Sequence, residues 1–244
     1  MPVALFEPHS NSPFRTENAA AKISSVRMMV IEENRTKADL WHYCCAAKWG
    51  FNVVATCHSG TDGITTARRE TPDIILAGLR PSDLALTEYV NGLRKAAPSA
   101  KLILVTQQCS EYLVHLLHHL DFHGLVYEPD ETLESLALLI EKVRQGHQVL
   151  SPAVVRCQTQ LRMVPTAFPK LLTKRHEEVL VCIAHSMTDE EIALSLGVSP
   201  ATALSHRQKI MQKLNVRSTP KLIRYCIEKG FNMVPPPTGL GLAS

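Results

Sequence analysis

Residues 171–231 carry helix start and stop signals at intervals so short that only a compact unit of several small helices can accommodate them. Val179, Leu180, Ile183 and Ala184 recur at helical spacing, as do Ile192, Ala193 and Leu196, so each set forms one buried helical face. Thr188 precedes the second run and has Glu191 three positions on, the arrangement of a capping box. Thr173 precedes the first run but has His176 at the corresponding place, which makes it the weaker start. Gly197 follows Leu196 as a left-handed stop, and Ser199 then caps a new helix with Pro200 in its first turn, where a missing N–H costs nothing. The pattern predicts a helix, a tight turn and a second helix.

Over residues 200–214 the apolar seam runs through Ala203, Ile210 and Leu214, which leaves Ala201, Leu204, Ser205, Gln208 and Gln212 on the other side. A helix that buries one seam and displays short polar and methyl groups on the other is what a DNA major groove admits. Gln208 and Ser205 are the expected readers of base edges. Charge points the same way: residues 170–230 hold ten of the 26 Lys/Arg but only six of the 23 Asp/Glu, so the basic excess is confined to this stretch. From Arg207 onward, Lys209, Lys213, Arg217, Lys221, Arg224 and Lys229 offer phosphate partners, whereas Glu177, Glu178, Asp189, Glu190 and Glu191 lie on the preceding helices. The competing reading is that these are only the solvated faces of a helical bundle.

The segment resembles the LuxR/FixJ-type helix-turn-helix of bacterial transcription regulators. The match lies at Leu172, Thr173, Arg175, Glu178, Val179, Leu180, Glu191, Ile192, Ala193, Leu196, Gly197, Val198, Ser199, Pro200, Thr202, His206, Ile210, Met211, Lys213 and Leu214. The resemblance implies that the helix over 200–214 enters the major groove of double-stranded DNA with Leu204, Ser205 and Gln208 at the bases. It further implies phosphate contacts from Thr188, Thr202, Lys209 and Lys213, and a last helix over 220–229 that serves as a dimerising surface. One departure stands out: where the family usually has Val-Lys after the threonine, this chain has Ala203 and Leu204. A cation that normally meets DNA is missing, and Leu204 could instead touch thymine methyls, or DNA binding could be weakened enough to need a partner.

A chain of 244 residues suggests one or two domains, and 45% apolar residues with a formal charge of +3 describe an ordinary globular protein rather than a charge-driven coat for nucleic acid. No apolar segment approaches the roughly 20 residues that span a bilayer, and the first 22 residues lack a basic-then-apolar signal pattern, so a cytoplasmic location without a membrane partner is expected. Seven cysteines without metal-type spacing suit reduced thiols better than a disulfide framework. Residues 1–24 read as a flexible leader.

From residue 26 apolar runs alternate with helical stretches: strands over 26–31, 51–56, 73–79, 101–106 and 124–127, and helices over 36–49, 61–69, 84–97, 111–120 and 131–145. The runs DIILAGL and KLILVT show no polar alternation, as expected for parallel strands covered on both faces, so residues 25–146 read as a doubly wound α/β domain. Functional groups in such a sheet gather beyond the carboxyl ends of the strands, which here are Glu32, Glu33, Gly78, Thr106 and Glu128. This half looks like a response-regulator receiver, and the two halves together resemble the NarL/FixJ class from about residue 25 to 230. In an active receiver the first strand ends in paired acids that hold Mg²⁺, the third ends in the aspartate that accepts phosphate, and the fourth and fifth end in a hydroxyl residue and a lysine. Gly78 has no side chain to phosphorylate, and Glu128 puts an anion where a cation should neutralise the phosphoryl group. A phosphorylation-independent pseudo-receiver is therefore expected. Asp83 is the one alternative acceptor, but it lies past the strand end, and Asp73 opens its strand at the wrong edge. Glu32 and Glu33 are either solvated carboxylates or a weak Mg²⁺ site, since two Glu need further oxygens to hold the ion. Thr106 reads as a strand-end residue.

His115, His118, His119 and His123 form a cluster in which His115 and His119 share a helical face at a spacing that permits metal ligation. The simpler reading is a polar face opposite Leu113, Leu116, Leu117 and Leu120, and no metal or other tightly held cofactor is expected. Cys44 and Cys45, beside Trp41 and Trp49, could make a redox sensor, but adjacent cysteines on a helix point apart and Cys is common in cores. Cys109, Cys157, Cys182 and Cys226 are read as core residues. Residues 147–169 connect the halves as a linker with one short helix around 153–161, and residues 232–244, rich in Pro and Gly, read as a disordered tail. The expectation is a DNA-binding transcription regulator that requires no catalysis. It acts as a homodimer, with RNA polymerase or another regulator as further partner. The alternatives are a metal- or thiol-sensing regulator, and an interaction protein that titrates a partner regulator without reading DNA.

Overall fold

A computed structural model describes residues 25–79 and 82–237. The leader over 1–24 and the last seven residues of the tail fall outside these. The chain forms two compact units, one holding the described residues up to Gln107 together with Leu120–Ser151, the other holding Gln108–His119 and the residues from Pro152 onward.

The first unit is a six-stranded sheet with β1 (Arg27–Ile31), β2 (Asn52–Cys57), β3 (Ile74–Gly78), β4 (Lys101–Thr106), β5 (Gly124–Tyr127) and β6 (Val149–Leu150) in the order β2-β1-β3-β4-β5-β6. All neighbouring strands run parallel. Helices α1 (Arg35–Tyr43), α2 (Gly60–Glu70), α3 (Leu86–Ala96) and α5 (Leu133–Arg144) belong to it, which makes it the expected doubly wound α/β fold. Helix α4 (Glu111–Leu117) is the exception and belongs to the second unit. Continuous burial of Met28–Ile31 and Ile74–Ala77 explains why these runs lack polar alternation. Side chains cap the helices: Asn34 accepts from the Lys37 N–H, Ser59 from Asp62, and Thr132 forms a reciprocal box with Ser135. Helix α1 runs on into a π-helical turn over Cys44–Lys48 that seats Trp49 and Phe51 against the sheet core. The sixth strand lies inside the stretch expected to be linker, because Val149 and Leu150 pair with Gly124 and Leu125 and so extend the sheet edge.

The second unit contains α4, α6 (Pro152–Met163), α7 (Phe168–Leu171), α8 (Lys174–Ala184), α9 (Asp189–Leu196), α10 (Pro200–Lys213) and α11 (Thr219–Lys229), followed by a 3₁₀ turn over Phe231–Met233. The sequence placed α4 in the α/β half, yet its aromatic residue decides otherwise. Tyr112 stacks on Phe231 at 4.1 Å between ring centroids and lies 6.0 Å from Phe168, while Lys229 pairs with Glu111 at 2.5 Å. Phe168 and Phe231 are themselves fully buried, so α4 completes a core that the C-terminal helices share. Part of the expected tail is also held here: the Val234 carbonyl is 2.9 Å from the His185 ring, and the Ser195 hydroxyl donates to the Pro237 carbonyl.

Candidate nucleic-acid interface and receiver-like pocket

At the carboxyl edge of the sheet the strand register brings β1, β3, β4 and β5 to a common end, with Ile31 opposite Ala77, Gly78 opposite Val105 and Thr106 opposite Tyr127. Glu32, Gly78, Thr106 and Glu128 therefore converge, as the βα series requires. The electrostatics of the pocket come from a residue that sequence reasoning missed. Lys37, one turn into α1, places its ammonium 2.8 Å from Glu32 Oε2 and 2.8 Å from Glu128 Oε2. Burial acts to lower the Lys37 pKa, but the hydrogen bonds to Glu128 and Glu32 outweigh it and hold the value above normal. The cation that a receiver supplies from the end of the fifth strand comes instead from the first helix, and both glutamates close upon it.

Gly78 cannot be read as a mere gap in this pocket. A Cβ added there would sit 3.0 Å from Glu32 Oε2 and 3.5 Å from the Ile31 carbonyl, so the space a longer side chain would enter already holds a carboxylate. Glu33 turns away from Glu32 and accepts from both the Ser82 N–H at 2.5 Å and the Ser82 hydroxyl at 2.9 Å. The two glutamates thus have separate partners. Asp83, the alternative acceptor, accepts from the N–H groups of Gly60 at 2.9 Å and Thr61 at 2.8 Å and anchors the first turn of α2. Slight burial pushes its pKa up, yet these bonds from Thr61 and Gly60 hold it below the usual carboxylate range. Thr106 is buried at the strand end. Close by lies Tyr89, fully buried, whose hydroxyl has no hydrogen-bond partner among the described residues. Burial raises its pKa, and the Cys57 thiol and the carboxylates of Glu32, Asp83 and Glu33 raise it further.

In the second unit, Thr188 accepts from the Glu191 N–H and Glu191 returns an acceptor to the Thr188 N–H at 2.7 Å, the capping box expected for α9. Thr173 forms a box as well: the His176 ring nitrogen accepts from the Thr173 N–H at 3.3 Å and so does the work of a glutamate. Gly197 ends α9 with φ +65°, and Ser199 caps α10 by accepting from the Thr202 N–H at 3.1 Å. Helices α9 and α10 then meet across a tight turn, held by Ile192, Ala193, Ala203 and Ile210 in one core with Val179 and Leu180 of α8.

This geometry is that of a helix-turn-helix, and comparison with known proteins agrees. Residues 170–226 match the model of bacterial regulatory proteins of the luxR family. The oxygen regulatory protein NreC of Staphylococcus aureus is 30% identical over 190 residues, which cover 72% of this chain and 85% of that protein. A nitrate/nitrite response regulator protein homolog of Haemophilus influenzae is 29% identical over 171 residues, 69% of this chain and 80% of its own. The fold resembles that of RcsB from Salmonella enterica serovar Typhimurium bound to a promoter, with a TM-score of 0.58, 18% identity, and coverage of 84% of this chain and 98% of that one. The chain belongs to the LuxR-type, NarL/FixJ-class family of response-regulator-like transcription regulators. It is accordingly a DNA-binding transcription regulator of that type.

In this LuxR-type regulator the outward face of α10 presents Thr202, Gln208 and Lys209 as exposed residues, with Ser205 half-buried beside them. Leu204, where the family usually has lysine, keeps 43% of its surface exposed. Thr188 is exposed at the start of α9, and Lys213, also exposed, reaches back to donate to the Leu171 carbonyl at 2.8 Å. Arg207 does not join the basic face. It is 9% exposed, and its guanidinium donates to Asp189 Oδ1 at 2.8 Å and to the Met187 carbonyl at 3.3 Å, pinning α10 to the start of α9. His176 has its pKa lowered, by burial first and then by Lys213, His206 and Lys209, a record of the positive field on this side of the unit. Arg224 is engaged with Glu228, and Arg175 with Glu178 and the Leu196 carbonyl.

The other candidate sensors fall differently. His115 lies 3.4 Å from Glu177 Oε1 and edge-on to Phe168, whereas His118 and His119 are exposed. His123 is not part of that helix; its ring accepts from the Leu102 N–H at 3.2 Å. Among the described residues no three His, Cys, Asp or Glu side chains gather in a group that could hold a metal ion. Cys44 and Cys45 are buried in the sheet core, and burial pushes both thiols up, away from reactivity. Cys182 and Cys226 are buried as expected, but the core reading fails for Cys109 and Cys157. Both are half-exposed, and their sulfurs face each other at 3.6 Å. Among the described residues no helix is long and apolar enough to cross a membrane.

Proposed function

We propose that the chain is a sequence-specific transcription regulator that acts as a homodimer on paired half-sites and whose receiver-like unit works without aspartyl phosphorylation. The observation that carries this reading is the Lys37 bridge between Glu32 and Glu128, with the Glu32 carboxylate facing the Cα of Gly78. Phosphoryl transfer to a receiver needs a carboxylate nucleophile at the third strand end, a divalent cation held by the paired acids and a free cation to neutralise the product. In this pocket the nucleophile is replaced by hydrogen, and the bridging ammonium already satisfies one acid, so Glu32 and Glu33 offer Mg²⁺ only a weak site. The unit keeps the fold for dimerisation or for sensing another input.

Base contacts from Leu204, Ser205 and Gln208, and phosphate contacts from Thr188, Thr202, Lys209 and Lys213, are supported by their placement on or beside the outward face of α10. The relatives named as response regulators, and the likeness to a protein solved bound to a promoter, favour a cytoplasmic regulator that meets RNA polymerase or another regulator on DNA. Two measurements test the proposal. Incubation of the full chain with acetyl phosphate and Mg²⁺ should leave it unmodified, and a base-labile acyl phosphate on the first unit refutes phosphorylation independence. Selection from a random-sequence DNA pool at two salt concentrations, without phosphodonor, should enrich an inverted repeat. Retention that is lost at higher salt without enrichment would reduce binding to phosphate contacts alone. No retention at all would favour the interaction-protein reading, for which the exposed Leu204 is the supporting observation.

A further inference from the structure

Thiol chemistry in this chain belongs at a place the sequence does not single out. Cys109 stands just before Ser110, the N-cap of α4, and Cys157 lies on α6; they are 48 residues apart in sequence. Their sulfurs are 3.6 Å apart, against ~2.05 Å in a disulfide, and both residues are half-exposed, so an oxidant can reach them. The surroundings activate one of the two. The Cys157 thiol is pulled down to about 7, chiefly by the hydrogen bond from Cys109, against burial and the Glu111 carboxylate, with help from Arg156 and Lys229. The other five cysteines are buried.

We propose that Cys109 and Cys157 form a reversible dithiol–disulfide switch that fixes α4 to α6 within the DNA-reading unit, with a low-molecular-weight disulfide such as glutathione disulfide as oxidant. This goes beyond the reading of the chain as a regulator and does not depend on it. The Cys157 thiolate attacks one sulfur of the oxidant, forming a mixed disulfide and expelling one thiolate. Cys109 then gives up its proton and attacks the Cys157 sulfur, expelling the second thiolate. Two protein thiols are thereby oxidised to one disulfide while the oxidant disulfide is reduced to two thiols, so two electrons are transferred and balance. The bond would hold the start of α4 against α6, where Tyr112 packs on Phe168 and Phe231.

The test treats the full-length protein with glutathione disulfide, alkylates remaining thiols and maps the peptides by mass spectrometry. The expected result is a peptide pair joining Cys109 to Cys157, with the five buried cysteines alkylated only after unfolding, and reversal by dithiothreitol. In Cys109→Ser the reaction should stop at a glutathione adduct on Cys157, and in Cys157→Ser no internal bond should form. Amide hydrogen exchange supplies a second readout that does not rest on a variant folding: residues 111–117 should exchange at least tenfold more slowly in the oxidised wild-type protein. A wild-type protein that keeps all its thiols, or that accumulates a stable glutathione adduct without the internal bond, overturns the proposal. So does an internal bond that leaves exchange across α4 unchanged, since the bond would then switch nothing.

Discussion

Replacing Lys37 by methionine keeps most of the side-chain volume and removes only the charge that joins Glu32 to Glu128. Both carboxylate oxygens lie 2.8 Å from one ammonium nitrogen, so without it they face each other across no more than about 6 Å. At an effective dielectric of ~20, two unit charges at that separation repel by roughly 3 kcal/mol. Glu128 keeps 31% of its side-chain surface exposed and Glu32 11%, so water relieves part of this and about 2 kcal/mol of destabilisation should remain. The assay is favoured by composition: the chain has two tryptophans, Trp41 and Trp49, and both are buried in the first unit. Tryptophan fluorescence during urea unfolding therefore reports that unit alone, and a loss of about 2 kcal/mol lowers its midpoint by roughly 1 M. The double variant Lys37→Met, Glu128→Gln removes the repulsion and should recover at least half of the loss. The pH dependence has a fixed sign. Because Lys37 has its pKa raised in the folded chain, its contribution is fully present below the ordinary lysine value of 10.5 and is lost as pH rises through the folded value. Between pH 9.5 and 11.5 the wild-type midpoint should thus fall further than that of Lys37→Met. An unchanged midpoint in the single variant, or a double variant as unstable as the single one, refutes the reasoning.

Three further outcomes follow from the same geometry. Gly78→Asp should not restore phosphorylation by acetyl phosphate; its Cβ would stand 3.0 Å from Glu32 Oε2 and bring a second carboxylate with it, so the first unit should lose about 1–3 kcal/mol in the same urea assay. Arg207→Met should destabilise the second unit by about 2–4 kcal/mol by stranding the Asp189 carboxylate, lowering its thermal midpoint by circular dichroism, while the enriched DNA motif of the folded fraction stays the same. Gln208→Ala should cost about 1–3 kcal/mol of discrimination at one base pair with an unchanged salt slope, whereas Lys209→Ala should weaken all sequences alike and reduce the slope by about 1 in a filter-binding titration.

The helix-turn-helix was legible because its signals are local. Thr188 with Glu191, Gly197, and Ser199 with Pro200 each act within a few residues, and each sits in the structure where that chemistry places it. The strand-end positions were legible too, since a βα series dictates which residues meet at the carboxyl edge. Lys37 was not, because its bond to Glu128 joins residues 91 apart and a lysine on an amphipathic helix gives no sign of turning inward. Arg207 is a different failure, for the signal was present: it falls on the seam of Ala203, Ile210 and Leu214 at four- and three-residue steps, and its charge alone set it among the phosphate partners. The His176 box was undervalued because a ring nitrogen three residues on accepts as well as a carboxylate. Helix α4 shows what periodicity leaves open. Its pattern demands an apolar surface to pack against, but does not say whose: although the helix lies in the connection between the parallel strands β4 and β5, Tyr112 packs on Phe168 and Phe231 of the second unit.

The assignment of α4 to the second unit changes how the polypeptide is threaded. The chain passes from one unit to the other after Gln107, returns after His119 and passes over again after Ser151, so three peptide connections join the units where most modular proteins have one. No single cleavage separates them into complete halves. A fragment beginning at residue 152 lacks Tyr112 and leaves Phe168 and Phe231 without their aromatic neighbour, and a fragment ending at residue 151 carries a helix whose packing partners have been cut away. Excised pieces of this regulator should be prone to aggregate, and any exchange of its first unit for another has to carry the 108–119 segment along with the C-terminal half.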